Sequence, residues 1–259
     1  MKSLEKSLRE LRASGRKAFV PYFVAGATPD WVRHVEAAAH AGADVIEIGV
    51  PFSDPMMDGV VIQEASLRAL AAGTTIDSVC SDLADISTSV PLVVMTYYNL
   101  LLHYGLERVA GKLHESGISG AIIPDLAVEE SKSWRDAADA SDVATVFLVA
   151  PSTPSQRVAL VTEVTQGFCY ASARMAVTGR ADDMGAAARV VHSVREVSDI
   201  PTYVGIGIST PDQARAAAAT SDGVIVGSAL VQKILDGGGA REVEEFVGTF
   251  RRALDDDAS

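Results

Sequence analysis

Hydrophobic positions along this chain alternate between two habits. Short uninterrupted apolar runs occur near Ala18–Val24, Val45–Gly49, Leu92–Thr96, Ala121–Ile123, Thr145–Val149, Phe168–Ala171, Thr202–Gly205 and Val224–Val226. Between them lie stretches with apolar residues at helical spacing, such as Trp31–Ala41, Leu106–Ser116, Glu129–Ala140, Gln156–Thr165, Gly185–Val197 and Asp212–Ala219. A further charged amphipathic pattern opens the chain, with Leu4, Leu8 and Leu11 on one face. Continuous apolar strands alternating with helices indicate a parallel sheet covered on both faces. Eight such strands in 259 residues predict an α/β fold of the (β/α)8 barrel type, with an extra N-terminal helix, as a single domain over residues 1–259. A doubly wound open sheet is the runner-up. No strand is followed by the Gly-x-Gly-x-x-Gly turn that would favour it.

The chain also echoes itself. His40-Ala-Gly-Ala-Asp-Val-Ile-Glu-Ile-Gly49 returns as Glu115-Ser-Gly-Ile-Ser-Gly-Ala-Ile-Ile-Pro124 and as Thr220-Ser-Asp-Gly-Val-Ile-Val-Gly227. Each copy reads as a helix end, a small-residue turn and a short strand. Nothing resembles a linker; low complexity is confined to the Ala214–Ala219 helix, Gly237–Gly239 and an acidic tail at Asp255–Asp257.

Composition narrows the possibilities. Hydrophobic residues are 48% of the chain, enough for a large core, and the mean hydropathy is +0.19. No apolar run approaches a membrane span, and the N-terminus lacks a signal peptide's apolar core. The net charge of −12 argues against nucleic acid or an anionic membrane as partner. It leaves room for a phosphorylated metabolite, because backbone amides hold phosphate without lysine. Cys80 and Cys169 are isolated, which suits a reduced cytoplasmic setting.

The most informative segment is Ile46-Glu-Ile-Gly-Val-Pro-Phe-Ser-Asp-Pro-Met-Met-Asp-Gly59. Burying an unpaired carboxylate is costly, so Glu47 inside an apolar strand needs a partner or a purpose. The loop that follows carries Asp54 and Asp58. An acid on a strand and another on the next loop can converge on one ligand for acid–base work. A core cation paired with Glu47, with solvated loop acids, is the competing interpretation, and this segment alone leaves both open. In a barrel the active site lies at the C-terminal strand ends, so those residues carry the candidates: Tyr97 and Tyr98, one expected to pack and one to face the pocket; Asp125, read as a helix cap; Tyr170; the turn Gly205-Ile-Gly-Ile-Ser209; and Gly227-Ser228. Glycine turns after the seventh and eighth strands, with a short helix at Ser228–Leu235, suit a phosphate. The alternative is tight turns with Ser209 and Ser228 as N-caps. The five dispersed histidines offer no metal spacing. No lysine lies in a predicted strand, which disfavours a Schiff-base aldolase.

These motifs resemble one family, the α subunit of tryptophan synthase. The likeness runs over most of the chain: Phe19-Val-Pro-Tyr-Phe-Val-Ala-Gly26, Glu47-Ile-Gly-Val-Pro-Phe-Ser-Asp-Pro55 with Asp58-Gly59 and Ile62-Gln63, Tyr97-Tyr98-Asn99, Pro124-Asp125-Leu126, Val177-Thr178-Gly179, Gly205-Ile-Gly-Ile-Ser209 and Val226-Gly-Ser228. The resemblance implies a (β/α)8 barrel that cleaves indole-3-glycerol phosphate to indole and glyceraldehyde 3-phosphate. It implies no cofactor in this chain and an α2β2 assembly with a pyridoxal-phosphate β subunit that receives the indole. Carried over by position, Glu47 matches the acid–base glutamate, Asp58 the second catalytic acid, and Tyr170 a tyrosine near that second acid. Tyr22 falls where an aromatic meets the indole, and Thr178 matches a loop threonine that closes over the site. Gly179, Gly207, Gly227 and Ser228 match the phosphate-binding positions.

The chain departs from the family pattern at Val24, at Met56-Met57-Asp58-Gly59-Val60, at Leu100 after Asn99, and at Ala173-Arg174-Met175-Ala176. Ala176 replaces a loop glycine, and two prolines are lost near the expected partner surface. Both acids survive. Two other functions stay open beside the α subunit: a stand-alone indole-releasing lyase, and a non-catalytic activator of a β subunit. An isomerase of a sugar phosphate is a more distant alternative, against which the aromatics Tyr22 and Tyr170 count. An apolar strand should also raise the Glu47 pKa, giving turnover a dependence on a group titrating well above ~4.3.

Overall fold

The computed structural model describes residues 2–86, 88–172, 183–205 and 207–256. Its strands are β1 Ala18–Val24, β2 Ile46–Gly49, β3 Leu92–Met95, β4 Ile118–Ile122, β5 Ala144–Val146, β6 Leu148–Val149, β7 Cys169–Ser172, β8 Thr202–Gly205 and β9 Gly223–Val226. All pairings are parallel, in the order β5-β4-β3-β2-β1-β9-β8-β7-β6. The two ends of that order, β5 and β6, are separated in the chain only by Phe147. They form one interrupted stave that pairs with β4 below and β7 above, and the ring closes through it. The expected eight strands are therefore present, and the fold is the (β/α)8 barrel with an additional N-terminal helix.

Strand positions agree with the hydrophobic runs to within a few residues; the largest difference is β4, which begins at Ile118 rather than Ala121. Helices Val60–Ala71, Ile76–Ala84, Tyr98–Tyr104 and Ala240–Asp255 are additions. Of the acidic stretch, Asp255 ends the last of these and Asp256 follows as its C-cap, while Asp257 lies outside the described residues. Asp255 is exposed but ion-paired, 2.7 Å from Arg251 Nη2 and 3.5 Å from Arg16 Nη1.

Strand residues alternate between two cores, as barrel geometry demands. The outward set packs against the helices. The inward set includes Ala18, Val20, Val45, Val93, Ile122, Val146, Phe168, Tyr203 and Ile225. Helix Ser3–Ala13 seals the N-terminal mouth, with Leu4 and Leu8 buried in this inner cluster. The Leu4 seat is built from absent side chains: a Cβ on Gly120 or Gly167 would come within 2.9 or 2.8 Å of Leu4 Cδ2.

The internal repeat has a structural meaning at the same end. Asp44 accepts the N–H of Phe19 at 2.8 Å and pairs with Arg16 and Arg251, each at 2.8 Å. Asp222, its counterpart, accepts the N–H of Thr202 at 2.9 Å and pairs with Arg195 at 3.0 Å. In the remaining copy Ser119 donates to the Leu92 carbonyl at 3.1 Å. Each copy thus ties the start of its strand to the start of its neighbour, which fixes the register of the ladder.

Because the Leu4 seat is far from the opposite mouth, Leu4→Ala is expected to cost roughly 2–5 kcal/mol in denaturant unfolding while leaving turnover per folded molecule unchanged. Equal loss of stability and of intrinsic turnover would mean that the plug and the site are coupled.

Candidate active site

The C-terminal mouth is built from the same alternation that fills the core. Tyr22 on β1 and Glu47 on β2 are register partners, so both point inward at one level. One inward step further along, β2, β8 and β9 present or lead to Gly49, Gly205 and Gly227. These glycines leave room for the aromatic rings. A Cβ on Gly49 would meet the Tyr22 hydroxyl at 2.0 Å, and one on Gly205 would meet the Tyr170 hydroxyl at 2.1 Å. Two buried phenols therefore lie across the mouth on glycine shelves. Between them opens a cavity lined by both phenols, by Glu47 and Asp58, by Gly207, Gly227 and Ser228, and by apolar side chains including Ile62, Met95, Leu148 and Ile225.

Glu47 is the exception in its layer. Aligning the three repeats puts it opposite Ile122 and Ile225, which are inward core residues. Its carboxyl is 1% exposed, and among the described residues Oε2 has no hydrogen-bond partner. Among the described residues no cation balances it, so the paired-core interpretation finds no support there. Burial first, and the Asp58 charge second, push its pKa up to about 8. Asp58 is half-buried on the loop after β2, and burial raises it to about 6, with the Tyr97 hydrogen bond pulling the other way. At neutral pH the pair therefore holds one protonated acid and one carboxylate, a division of roles set by environment.

The loop is held in several ways. The Asp58 N–H donates to the Pro55 carbonyl at 3.2 Å, and the Gln63 side-chain amide donates to the Asp58 carbonyl at 3.0 Å. Tyr97 donates its hydroxyl proton to Asp58 Oδ2 at 3.1 Å. Asp54, the other loop acid, is exposed and accepts from the Ser53 hydroxyl at 2.6 Å, away from the cavity.

Tyr97 and Tyr98 do not divide as expected, since neither lines the cavity: Tyr97 is buried against the Asp58 loop, and Tyr98 packs on the outer core. Asp125 is a cap, although for a different helix than its own neighbourhood suggested. Its Oδ1 accepts the Tyr98 N–H at 2.9 Å, at the start of Tyr98–Tyr104. Neither Ser209 nor Ser228 acts as an N-cap. Thr210 caps Pro211–Ala218 through a capping box with Gln213, while Ser209 donates to Gln213. Ser228 is the first residue of helix Ser228–Leu235 and faces the cavity. Gly207 has φ +92°, a conformation that needs glycine. Thr178 and Gly179 lie outside the described residues, as do Met175 and Ala176. Sequence reasoning missed Met57, Gly59, Ile62, Met95, Pro124 and Leu148 as lining residues; a strand-end position was the available signal for Met95, Pro124 and Leu148, whereas Met57, Gly59 and Ile62 lie on the loop and helix after β2.

Inside a parallel barrel, two carboxyl groups with opposed protonation facing a flat apolar slot define an enzyme of the acid–base type. The comparisons make that specific. The sequence pattern of the tryptophan synthase alpha chain matches residues 8–255. A tryptophan synthase alpha chain from Streptomyces coelicolor is 43% identical over 238 residues, 90% of this chain and 88% of that one. Another, from Halorhodospira halophila, is 42% identical and covers 99% of this chain and 97% of its own. Among solved structures, tryptophan synthase from Mycobacterium tuberculosis superposes with TM-score 0.91 at 36% identity, covering 98% of each chain. The tryptophan synthase subunit alpha of Legionella pneumophila gives 0.90 at 30%, covering 99% of each. The chain belongs to the tryptophan synthase alpha chain family.

A folded pKa of about 8 for Glu47, against an ordinary 4.5, has a definite sign for stability. Between those values the folded state holds a proton that the unfolded chain has lost, so stability falls as pH rises through the window. Glu47→Gln is expected to stabilise the protein by a few kcal/mol at pH 8.5, at ~1.4 kcal/mol per unit. The advantage should shrink toward pH 5. Thermal melts of both proteins at the two pH values check it, and a pH-independent difference would contradict the buried-acid assignment.

Proposed function

We propose that this cavity cleaves indole-3-glycerol phosphate to indole and glyceraldehyde 3-phosphate, as the α reaction of tryptophan synthase in tryptophan biosynthesis. The observation that carries the reading is the unpartnered, protonated Glu47 beside an ionised Asp58. The reaction is a retro-aldol cleavage. Glu47 donates its proton to indole C3. Asp58 accepts a hydrogen bond from the indole N–H and stabilises the positive charge that spreads over the ring. The Glu47 carboxylate then takes the proton of the hydroxyl on the adjacent glycerol carbon. Those O–H electrons become the carbonyl, and the carbon–carbon bond pair returns to the indole ring. Glu47 ends as it began, so no water or external acid is consumed. A positioned acid–base group is typically worth about 10²–10⁴-fold.

The remaining assignments follow the cavity. Tyr22 and Tyr170 flank the flat indole, and both hydroxyls stay protonated because burial and the two carboxylates raise their pKa. Gly207, Gly227 and Ser228 hold the phosphate with backbone amides at a helix start; by the family resemblance Gly179 joins them and Thr178 closes over the site. Among the described residues no lysine lines the cavity. Pyridoxal phosphate belongs, in this reading, to the β subunit. Residues 1–259 act as one catalytic domain in the cytoplasm. Among the described residues no helix is long and apolar enough to cross a membrane.

Docking to a β subunit in an α2β2 assembly is supported by the loop that carries Asp58. Met56, Met57 and Val60 are 76%, 54% and 74% exposed and stand within five residues of one another. Clustered exposed hydrophobics mark interaction surfaces. The departures at Met57 and Val60, which in sequence suggested a loosened partner contact, instead enlarge an apolar rim. A stand-alone lyase would gain nothing from that rim.

kcat/KM for indole-3-glycerol phosphate is expected to be bell-shaped, rising as Asp58 ionises near 6 and falling as Glu47 loses its proton near 8. Asp58→Asn should remove the ascending limb, and Glu47→Gln should lower kcat by about 10²-fold or more. A profile flat from pH 5 to 9 would sink the assignment of these two acids. For the partner, adding a cognate β subunit should raise the cleavage rate, and Met56→Glu with Val60→Glu should weaken that response. An equal response from the double variant would remove the loop from the interface.

A further inference from the structure

Tyr97 stands behind Asp58 and does not line the cavity. Its side chain is 3% exposed, and its ring stacks on Phe52 with centroids 4.9 Å apart and planes at 24°. Its hydroxyl accepts the Met57 N–H at 2.9 Å and donates to Asp58 Oδ2 at 3.1 Å. A phenol has one proton to give. With the backbone N–H on its oxygen lone pair, that proton is committed to the carboxylate. One side chain from the end of β3 therefore grips the loop at Phe52, Met57 and Asp58, and hydrogen bonds in series polarise one another. Met56 and Met57, on the outer side of the same grip, are exposed.

Resting on the function proposed above, we propose that Tyr97 is the positioning residue of Asp58, and that the chain Met57 N–H, Tyr97 O–H, Asp58 carboxylate carries the effect of a β subunit seated on Met56 and Met57 into the lyase site. A partner that shifts the Met57 backbone lengthens or shortens the first bond, and the second responds. Asp58 faces other ionisable groups as well: Glu47 on β2, Tyr22 on β1 and Tyr170 on β7 all feel its charge. Tyr97 is the one described side chain that hydrogen-bonds its carboxylate, which pulls the Asp58 pKa down against burial. Asp125 also lies within electrostatic reach of Tyr97 and opposes loss of its proton.

The test is the pH dependence of indole-3-glycerol phosphate cleavage by the full chain, alone and with a saturating β subunit. Three proteins are compared: the parent chain, Tyr97→Phe, and a chain with 3-fluorotyrosine at position 97, whose hydroxyl is a stronger donor in the same shape. Tyr97→Phe is expected to move the ascending limb up by about one pH unit and to lower kcat by about 10–100-fold, the worth of one hydrogen bond to a charged group. KM should change far less. The fluorinated chain should move the limb down, and it decides the matter if Tyr97→Phe does not fold. Stimulation by the β subunit should fall toward one-fold in Tyr97→Phe. An ascending limb that Asp58→Asn abolishes but neither Tyr97 replacement moves would overturn the proposal. Stimulation retained in full by Tyr97→Phe, or absent from the parent chain, would overturn the coupling. A parent chain whose profile Asp58→Asn leaves unchanged would instead overturn the functional reading of the site.

Discussion

The structure turns on keeping one carboxyl group out of water. Glu47 occupies an inward barrel position whose counterparts in the internal repeat are isoleucines, and among the described residues no cation compensates it. The cheapest response of a buried acid is to hold its proton. That protonated state requires an apolar surround, supplied by the inner core with Val20, Val93 and Ile225, and a second charge near enough to oppose ionisation, supplied by Asp58. The glycine shelves, the two phenols and the fixed loop follow from the same requirement, since each keeps solvent from the carboxyl while leaving a slot for a flat ligand.

Much of this was legible in the sequence for a physical reason. A barrel strand buried on both faces reads as an uninterrupted apolar run, so eight runs located eight staves, and a glutamate inside one of them announced itself. The helices that were not anticipated are the ones periodicity serves poorly. Val60–Ala71 begins directly in the Asp58 loop and carries exposed Val60 and Leu67, while Tyr98–Tyr104 is a two-turn segment apolar on nearly every side. The break at Phe147 was hidden because a stave that pairs with different neighbours at its two ends has the same composition as one that does not.

Side-chain partners were less legible than positions. Asp125 reads as a cap from its neighbours, and it is one, but it serves the helix of an adjacent unit. Likewise the repeat at Asp44, Ser119 and Asp222 is visible as a pattern, whereas its purpose, tying adjacent strand starts together, depends on which strands are neighbours. The involvement of Tyr97 belongs with these, because nothing in the spacing of Tyr97 and Asp58 says that the two will meet. Contacts between units are made by the fold, and a single chain read along its length does not contain them.

The seat of Leu4 sets an order of assembly. The N-terminal helix is synthesised before the strands that seat it, because its socket is lined by Gly120, Ala144 and Gly167. It must wait, its apolar face uncovered, until about two-thirds of the chain exists. Contacts of such wide sequence separation are slow to form. Residues made early are thus late to find their place, and docking of the plug becomes a checkpoint that only a barrel built past Gly167 can pass.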